Sequence, residues 1–242
     1  MLHIVLWKWN QKGFIHRYTA EHVNIMGNML RRHLKGSQYR ILCVTDDPDH
    51  IDNNIETFRL WDDYSTLHNI MGESLPSCYR RLKLFDPETQ NDLRIKEGDR
   101  IAWIDLDTVI LRDMWQVFGR KERFVGWAVR GTYRPRVFNG SMVLFTAGDL
   151  TTIWSEFNPE TSPATAKDAG FLGSDQGWLS YKLAESAEFS GWEWPLVASY
   201  PRELMRRATI PTHTAVAFFH GKRKPWHDNI KMNVQWIHDN WR

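Results

Sequence analysis

Hydrophobic residues near the start of the chain form short runs, separated by a stretch with helical spacing. Residues 2–7, 39–45 and 100–105 are rich in apolar side chains, as expected of parallel strands that are covered on both faces. Between the first two runs, apolar residues recur every three or four positions from Thr19 to Gly36, which predicts an amphipathic helix with Thr19 as its N-cap. This order of strand, helix and strand predicts the opening βαβ unit of an α/β protein.

The later part of the chain shows a more mixed pattern. Shorter runs predict further strands at 55–60, 124–129, 137–146 and 215–219, and helices at 79–85, 149–157, 174–184 and 230–241. Residues 158–173 are small and polar and contain proline, which predicts a mobile loop. Because no internal repeat or linker divides the pattern, we expect a single α/β domain over residues 1–242.

Composition and charge exclude several classes of function. The chain has 242 residues, with 31 Lys and Arg against 29 Asp and Glu, so its net charge of +2 does not indicate a nucleic-acid partner. No apolar run approaches the roughly 18 residues of a membrane span, and the apolar start is too short for a signal peptide, so we expect a cytoplasmic protein. Two cysteines without metal-ligand spacing argue against a disulfide framework or a zinc site.

Two carboxylates, Asp105 and Asp107, stand where the predicted strand 100–105 ends. Ligands of open α/β sheets bind at the carboxyl ends of strands, and residues two apart in an extended segment share a face. The pair is therefore predicted to hold one divalent cation through hard oxygen ligands. Its apolar flanks favour this interpretation, because neighbouring acids in apolar surroundings need a compensating charge. A second pair with the same spacing, Asp47 and Asp49, is predicted to be a solvated turn.

An Asp-x-Asp pair at the end of a strand resembles two known kinds of site. Haloacid-dehalogenase-like phosphatases use the first Asp as nucleophile and the second as general acid, which would give those roles to Asp105 and Asp107. GT-A glycosyltransferases instead use the pair to hold a metal that bridges the diphosphate of a sugar nucleotide. The phosphatase motif normally follows the first strand, whereas at least two predicted strands precede the pair in this chain. The position of the pair therefore favours the second kind of site.

Four further segments resemble, in the same order, those of retaining GT-A enzymes related to glycosyltransferase family 8. They are YRRLKLF at 79–85, FNGSMVLF at 138–145, GSDQ at 173–176 and FHGKRKPW at 219–226. The resemblance spans nearly the whole chain and implies the Rossmann-like GT-A fold, an α/β fold with a mixed central sheet flanked by helices. It also implies that residues 1–110 form the nucleotide-binding half and residues 111–242 the half for the donor sugar and the acceptor.

The resemblance implies roles for most of the candidate residues. Arg81 is expected to touch the donor, Asp175 to bind donor hydroxyls and Gln176 to lie near the anomeric carbon, and these three are the expected catalytic residues. The metal is expected on Asp105, Asp107 and His220. The expected donor-binding residues are Trp7, Trp9, Asp46, Arg81, Asp105, Leu106, Asn139, Gly140, Ser141, Gly221 and Lys224, with Gly221 and Lys224 on the phosphates.

Several of these assignments have alternatives that the sequence leaves open. Trp7 and Trp9 share one face of the first strand's end, where they would either stack on the nucleotide base or pack in the core. Asp46 would either accept from the ribose or base or terminate its strand. His220 stands two residues after the family's metal-ligand position, which is Phe218 in this chain, so its alternative role is that of a capping or core histidine.

The sequence therefore predicts a metal-dependent glycosyltransferase that uses Mn²⁺ or Mg²⁺. It would move a hexose from a nucleotide diphosphate sugar, with UDP-hexose favoured, to a carbohydrate or lipid-linked acceptor. The family resemblance implies that transfer retains the configuration. The sequence also leaves open a peripheral contact with a membrane. The alternatives are a magnesium-dependent phosphatase with Asp105 as nucleophile and a non-catalytic carbohydrate-binding module.

Overall fold

A central mixed β-sheet forms the framework of the protein. The computed structural model describes residues 1–10, 17–36, 38–128, 138–184, 189–207, 209–231 and 233–242. The large sheet has the strand order β3-β2-β1-β4-β7-β6-β8, and a smaller sheet has the order β5-β10-β9. The strands are β1 (Leu2–Lys8), β2 (Tyr39–Thr45), β3 (Glu56–Arg59), β4 (Arg100–Ile104), β5 (Thr108–Ile110), β6 (Phe124–Ala128), β7 (Phe138–Thr146), β8 (Phe189–Trp192), β9 (Val197–Ser199) and β10 (Val216–Phe218).

Helices flank the large sheet. The α-helices are α1 (Ala20–His33), α2 (Pro87–Asp92), α3 (Trp115–Phe118), α4 (Thr152–Ser155), α5 (Ser162–Asp168), α6 (Asp175–Leu183), α7 (Asp228–Lys231) and α8 (Gln235–Asn240). A 3₁₀-helix covers Tyr79–Phe85 and a π-helix covers Tyr200–Leu204. No helix within the described ranges is long and apolar enough to cross a membrane.

The pairing of the strands explains where the candidate residues meet. Strand β1 pairs in parallel with both β2 and β4, and every residue of β1 is buried. Strand β7 runs antiparallel to β4, with Ile104 opposite Met142. The carboxyl end of β4 therefore lies beside the start of β7, which brings Asp105 close to Ser141. This arrangement confirms the predicted α/β fold class.

The core is divided between the two faces of the large sheet. Along β1, Ile4 and Leu6 pack into a cluster with α1 and the smaller sheet, whereas Val5 and Trp7 pack into a second cluster. The second cluster includes side chains from the 3₁₀-helix, α4 and α6. Because alternate residues of a strand point to opposite faces, a continuous apolar run is needed to supply both clusters.

Some predicted elements differ from the structure. The single helix predicted at 230–241 is wrong, because extended Val234 separates α7 from α8. The segment 158–173 contains helix α5, with Pro163 in its first turn, where proline is tolerated. The helix predicted at 149–157 is limited to α4. The predicted strand ends at Val129 and Val137 lie outside the described residues.

Candidate functional site

The turn that carries Asp105 and Asp107 is held by the strands around it. The backbone N–H of Asp105 donates to the carbonyl of Ser141 at 2.8 Å, and the Thr108 hydroxyl donates to the carbonyl of Asp105 at 2.6 Å. The N–H of Phe219 donates to the carbonyl of Asp107 at 3.0 Å. Contacts from β7, β5 and the end of β10 therefore fix the direction in which each carboxylate leaves the backbone.

Arg81 joins two of the predicted site carboxylates. Its Nη1 donates to Asp105 Oδ1 at 2.7 Å, while its Nε and Nη2 both lie 2.7 Å from Asp175 Oδ2. The guanidinium is buried and its Cζ lies 5.3 Å from the centre of the Trp103 ring. All three guanidinium nitrogens thus face carboxylates, so Arg81 positions Asp105 and Asp175 in this conformation.

The two carboxylates bound by Arg81 differ in exposure. The Asp175 side chain keeps 2% of its surface exposed, whereas Asp105 keeps 28%, so Asp105 is the one that faces open space. Burial raises the pKa of both carboxyl groups, and the nearby Arg81 charge opposes that rise. The charge of Asp107 raises the pKa of Asp105 further. Asp175 is also bonded by the Ser174 hydroxyl at 3.2 Å.

Lys224 neutralises the second member of the acidic pair. Its Nζ donates to Asp107 Oδ2 and, at 3.2 Å, to the carbonyl of Phe219, and both Lys224 and Asp107 are buried. The intervening Gly221 has a φ of +83°, a conformation that glycine adopts without strain and that turns the loop back toward the pair. Tyr18 is a further neighbour of Asp107. Burial, together with the charge of Asp107, raises the pKa of the Tyr18 hydroxyl well above its usual value.

His220 lies near the acidic pair but makes another contact. Its Nε2 forms a 2.7 Å hydrogen bond with the hydroxyl of Ser199, at the end of β9. Burial lowers the pKa of His220, and the charge of Asp107 opposes that shift, so the two side chains are electrostatic neighbours. Among the described residues, no three His, Cys, Asp or Glu side chains are grouped so that they could hold a metal ion. The structure thus brings Asp105 and Asp107 together without His220 as a third ligand.

The start of β7 contacts α6 through its backbone. The N–H of Gly140 donates to Gln176 Oε1 at 3.1 Å, and the side-chain oxygen of Asn139 accepts from the N–H of Ser141 at 2.8 Å. A Cβ built on Gly140 would lie 3.1 Å from an Arg81 nitrogen and 3.2 Å from the Cβ of Gln176. Glycine at this position therefore lets Arg81, Asp175 and Gln176 approach the strand, while the neighbouring Leu106 is buried in the core.

The predicted base-binding residues near the end of β1 differ in their exposure. Trp7 is buried in an aromatic cluster with Trp61 and Trp103, so the core-packing alternative describes it. Trp9 is half-buried, with its ring centre 6.1 Å from that of Trp7. Asp46 is exposed and accepts a 3.2 Å hydrogen bond from the N–H of Asn10. Trp9 and Asp46 are thus the predicted base-site residues that remain accessible.

The charges around the acidic pair do not balance. Three carboxylates, on Asp105, Asp107 and Asp175, are connected to two cations, Arg81 and Lys224. An excess of negative charge in a buried setting repels a diphosphate unless a further cation is present. Hard carboxylate oxygens are the ligands that Mg²⁺ and Mn²⁺ prefer, so the donor set of Asp105 and Asp107 fits such an ion.

No role was predicted from the sequence for several residues around the site. Ser174 receives the N–H of Cys78 and donates to Asp175, which links the 3₁₀-helix to the start of α6. Tyr18, Ser199 and Lys8 also lie in the surroundings of the site. Lys8 is buried at the end of β1 and donates to Asp47 at 3.0 Å. Of these residues, only Lys8 could have been noticed in the sequence. A lysine at the end of an apolar strand is predicted to need a polar or charged partner, because burying its charge without one is costly.

Solved glycosyltransferase structures share this fold. The galactosyltransferase LgtC, in complex with donor and acceptor sugar analogs, matches with a TM-score of 0.63 and 13% identity, over 98% of this chain and 96% of that one. An active-site mutant of LgtC matches with a TM-score of 0.63 and 12% identity, over 98% and 93%. GlyE of Streptococcus pneumoniae TIGR4 matches with a TM-score of 0.58 and 12% identity, over 100% of this chain and 62% of that one.

Sequence comparisons do not identify a relative of this chain. No protein-family model matches the sequence, and no curated protein matches it. At identities of 12–13%, the structural likeness shows the fold and does not by itself transfer an activity. The chain has the GT-A-like fold of these glycosyltransferases, as the family resemblance implied, and the proposed chemistry has to be argued from the site.

Proposed function

We propose that the chain is a glycosyltransferase that moves a hexose from a nucleotide diphosphate sugar, with UDP-hexose favoured, to a carbohydrate or lipid-linked acceptor. The observation that carries the proposal is the acidic pair at the end of β4, connected to Arg81 and Lys224 beside the start of β7. The structural neighbour LgtC, solved with donor and acceptor sugar analogs, supports the same class of substrates.

A divalent cation, Mn²⁺ or Mg²⁺, is part of this proposal, and Asp105 and Asp107 would hold it. When bound, it supplies positive charge against the diphosphate of the donor. The excess of carboxylates over cations at the site supports this requirement. His220 would join the two carboxylates through Nδ1, or through Nε2 once its hydrogen bond with Ser199 is broken.

The protein's own side chains would bind and orient the donor around this charge. Lys224 would turn from Asp107 to a phosphate oxygen as the donor enters, and Gly221 would let the loop backbone approach the phosphates. Arg81 would hold Asp105 and Asp175 in place, which makes it a positioning residue. Asn139 and Ser141 at the start of β7 would face the donor together with Trp9 and Asp46 at the exits of β1 and β2.

Transfer would break the bond between the anomeric carbon and the phosphate oxygen, and the electron pair would leave with the diphosphate. The acceptor oxygen would bond to the anomeric carbon on the same face, and its proton would pass to the departing phosphate oxygen. The amide oxygen of Gln176 already accepts from the N–H of Gly140, and an amide is a poor nucleophile. Both facts argue against a covalent intermediate on Gln176, whereas retention itself rests on the family resemblance.

Thermal unfolding with nucleotides tests this proposal directly. We would measure the unfolding midpoint with UDP, GDP, CDP or ADP, each in Mn²⁺ and in EDTA. A ligand at about 100 times its Kd adds about 2.7 kcal/mol, which raises the midpoint of a protein of this size by a few degrees. We expect a Mn²⁺-dependent rise with one nucleotide, lost in the Asp105→Asn variant and retained in the control Asp49→Asn, which alters an exposed Asp of the other Asp-x-Asp pair.

Two outcomes would contradict the proposal. The first is the absence of any nucleotide-dependent shift. The second is hydrolysis of a phosphomonoester such as p-nitrophenyl phosphate with Asp105 phosphorylated, which would favour the phosphatase alternative. The cytoplasmic location and a peripheral membrane contact stay predictions from the sequence.

A further inference from the structure

A cavity of about 130 Å³ lies at the ends of β6, β7 and β9. Its lining includes Asn139, at the start of β7, and His220, which precedes the loop that carries Lys224. Asn139 is proposed to face the donor, and the loop after His220 carries Lys224, so the cavity lies near the proposed donor site. One ordered water needs about 10–15 Å³ on this measure, and the cavity therefore has room for a ring-sized ligand.

Two tryptophans line this cavity. Trp127 is buried and its ring stacks on that of Phe218, with centres 4.7 Å apart and an angle of 21° between the planes. Trp194 is half-buried, and the Arg207 Cζ lies 4.9 Å from its ring centre. Aromatic side chains that are fixed by packing, together with a few polar groups, are typical of small-ligand pockets. A pyranose ring has apolar C–H faces and polar edges, which match this combination.

Hydrogen-bonding groups lie along the same cavity. The Asn139 amide, the Ser199 hydroxyl and the His220 imidazole all contribute to its lining. Ser199 and His220 are joined by their 2.7 Å hydrogen bond, which leaves each with further capacity to bind a sugar hydroxyl. Asn139 is also proposed to face the donor, so the cavity and the donor site share this residue.

The cavity also has a cationic side. Arg202 lines it and is exposed, and within the described part of the chain its guanidinium has no carboxylate within ion-pair distance. The neighbouring Glu203 also lines the cavity, and its carboxylate accepts from the backbone N–H of Ser199 at 2.8 Å. Arg207 lies over Trp194, one of the lining residues, and adds positive charge at that side of the cavity. An anionic ligand would therefore be attracted to this side.

We propose that the cavity between Trp127 and Trp194 is the acceptor subsite, and that it binds a sugar ring whose carboxylate or phosphate group is held by Arg202. The inference rests on the proposed glycosyltransferase function and names the class of its acceptor. Carboxylated and phosphorylated sugars share the anionic group that Arg202 would bind, so the experiment has to separate them. Arg202 is not among the residues proposed to contact the nucleotide, so its assigned role concerns the acceptor.

Binding of three simple glycosides tests the inference. The probes are methyl β-glucuronide, methyl β-glucoside 6-phosphate and neutral methyl β-glucoside, each measured by saturation-transfer NMR with UDP and Mn²⁺ present. We expect one of the charged glycosides to bind at least about tenfold more tightly than the neutral one, since a charge-assisted hydrogen bond contributes at least that factor. The preferred charged glycoside identifies the source of the anionic group.

Two arginine variants test whether Arg202 causes the preference for a charged glycoside. Arg202→Gln should remove the preference for the charged glycoside, whereas Arg206→Gln, at an exposed arginine that does not line the cavity, should retain it. Equal binding of neutral and charged glycosides, binding of none of the three, or equal losses in both variants would overturn the inference. UDP binding by the unmodified protein is measured in parallel, so that a failure of the proposed function, with no nucleotide bound, is distinguished from a failure of the acceptor subsite.

Discussion

Arg81 and Asp175 form a buried ion pair, in which Nε of the guanidinium donates to Oδ2 of the carboxylate at 2.7 Å. Both side chains are at least nine-tenths buried, and the same guanidinium also binds Asp105. A single arginine on the 3₁₀-helix therefore connects the start of α6 with the end of β4. The contact with Arg81 therefore fixes the orientation of the Asp105 carboxylate.

Replacing Arg81 by methionine should destabilise the protein strongly. The change leaves the Asp175 carboxylate buried without a compensating charge, and removal of one member of a buried pair costs about 3–5 kcal/mol. We expect that loss in the free energy of unfolding, measured by urea denaturation. The control is Arg31→Met, at a partly exposed arginine 3.9 Å from Asp52, which should change stability by less than about 1 kcal/mol. Similar losses in both variants would contradict the role assigned to the buried pair.

Lys224→Met should weaken nucleotide binding in the folded protein. Lys224 is the buried cation beside Asp107, and its loss removes a charge-assisted hydrogen bond worth about 1.5–3 kcal/mol to the phosphates. We expect a rise of about tenfold to a hundredfold in the Kd for the preferred nucleotide, measured calorimetrically below the unfolding transition. The exposed neighbour Lys222 provides the control, and an equal effect of Lys222→Met would assign the binding to general basic charge.

The sequence predicted the part of the site that depends on strand order. Ligands bind at the carboxyl ends of parallel strands, so the apolar runs of β1, β2 and β4 were sufficient to predict where Asp105 and Asp107 lie. The antiparallel pairing of β7 with β4 then brings Asn139, Gly140 and Ser141 to the same edge. These positions follow from local patterns together with one general rule of α/β sheets.

The partners of the site residues could not be predicted in the same way. The hydrogen bond of His220 with Ser199 depends on β9 pairing beside β10, and neither short strand has a distinctive pattern. Trp7 and Trp9 share a face in the sequence, yet contacts with Trp61 and Trp103 bury only Trp7. Such contacts join elements that are distant in sequence, so tertiary packing decides them.

Gly173→Ala should lower the transfer rate by displacing Gln176. Gly173 has a φ of +107°, and a Cβ there would lie 2.5 Å from the Gln176 side-chain nitrogen. Both the strained backbone and the contact should move Gln176 away from the N–H of Gly140. We expect kcat to fall by at least about tenfold, because small displacements of positioned groups reduce rates strongly.

Substitution of a second glycine, Gly36, distinguishes the effect of backbone strain from the effect of displacing Gln176. Gly36 has a φ of +84°, but no atom lies within 4 Å of a Cβ built there. Gly36→Ala should therefore reduce stability by about 1 kcal/mol through strain while leaving kcat unchanged. Measured kcat values that fall equally in the two variants would show that Gly173 acts through stability alone.

Stability should decrease on acidification because His22 is buried. Burial lowers its pKa below the usual 6.5, and its Nδ1 accepts the N–H of Thr19 at 2.9 Å. The unfolded chain therefore binds a proton at this position below about pH 6.5 that the folded protein does not bind, so the free energy of unfolding falls as the pH drops through that value. In urea titrations from pH 7.5 to 5, His22→Gln should reduce the slope by up to about 1.4 kcal/mol per pH unit. The other buried histidines contribute equally in both proteins, so an unchanged slope would contradict the neutral, buried state of His22.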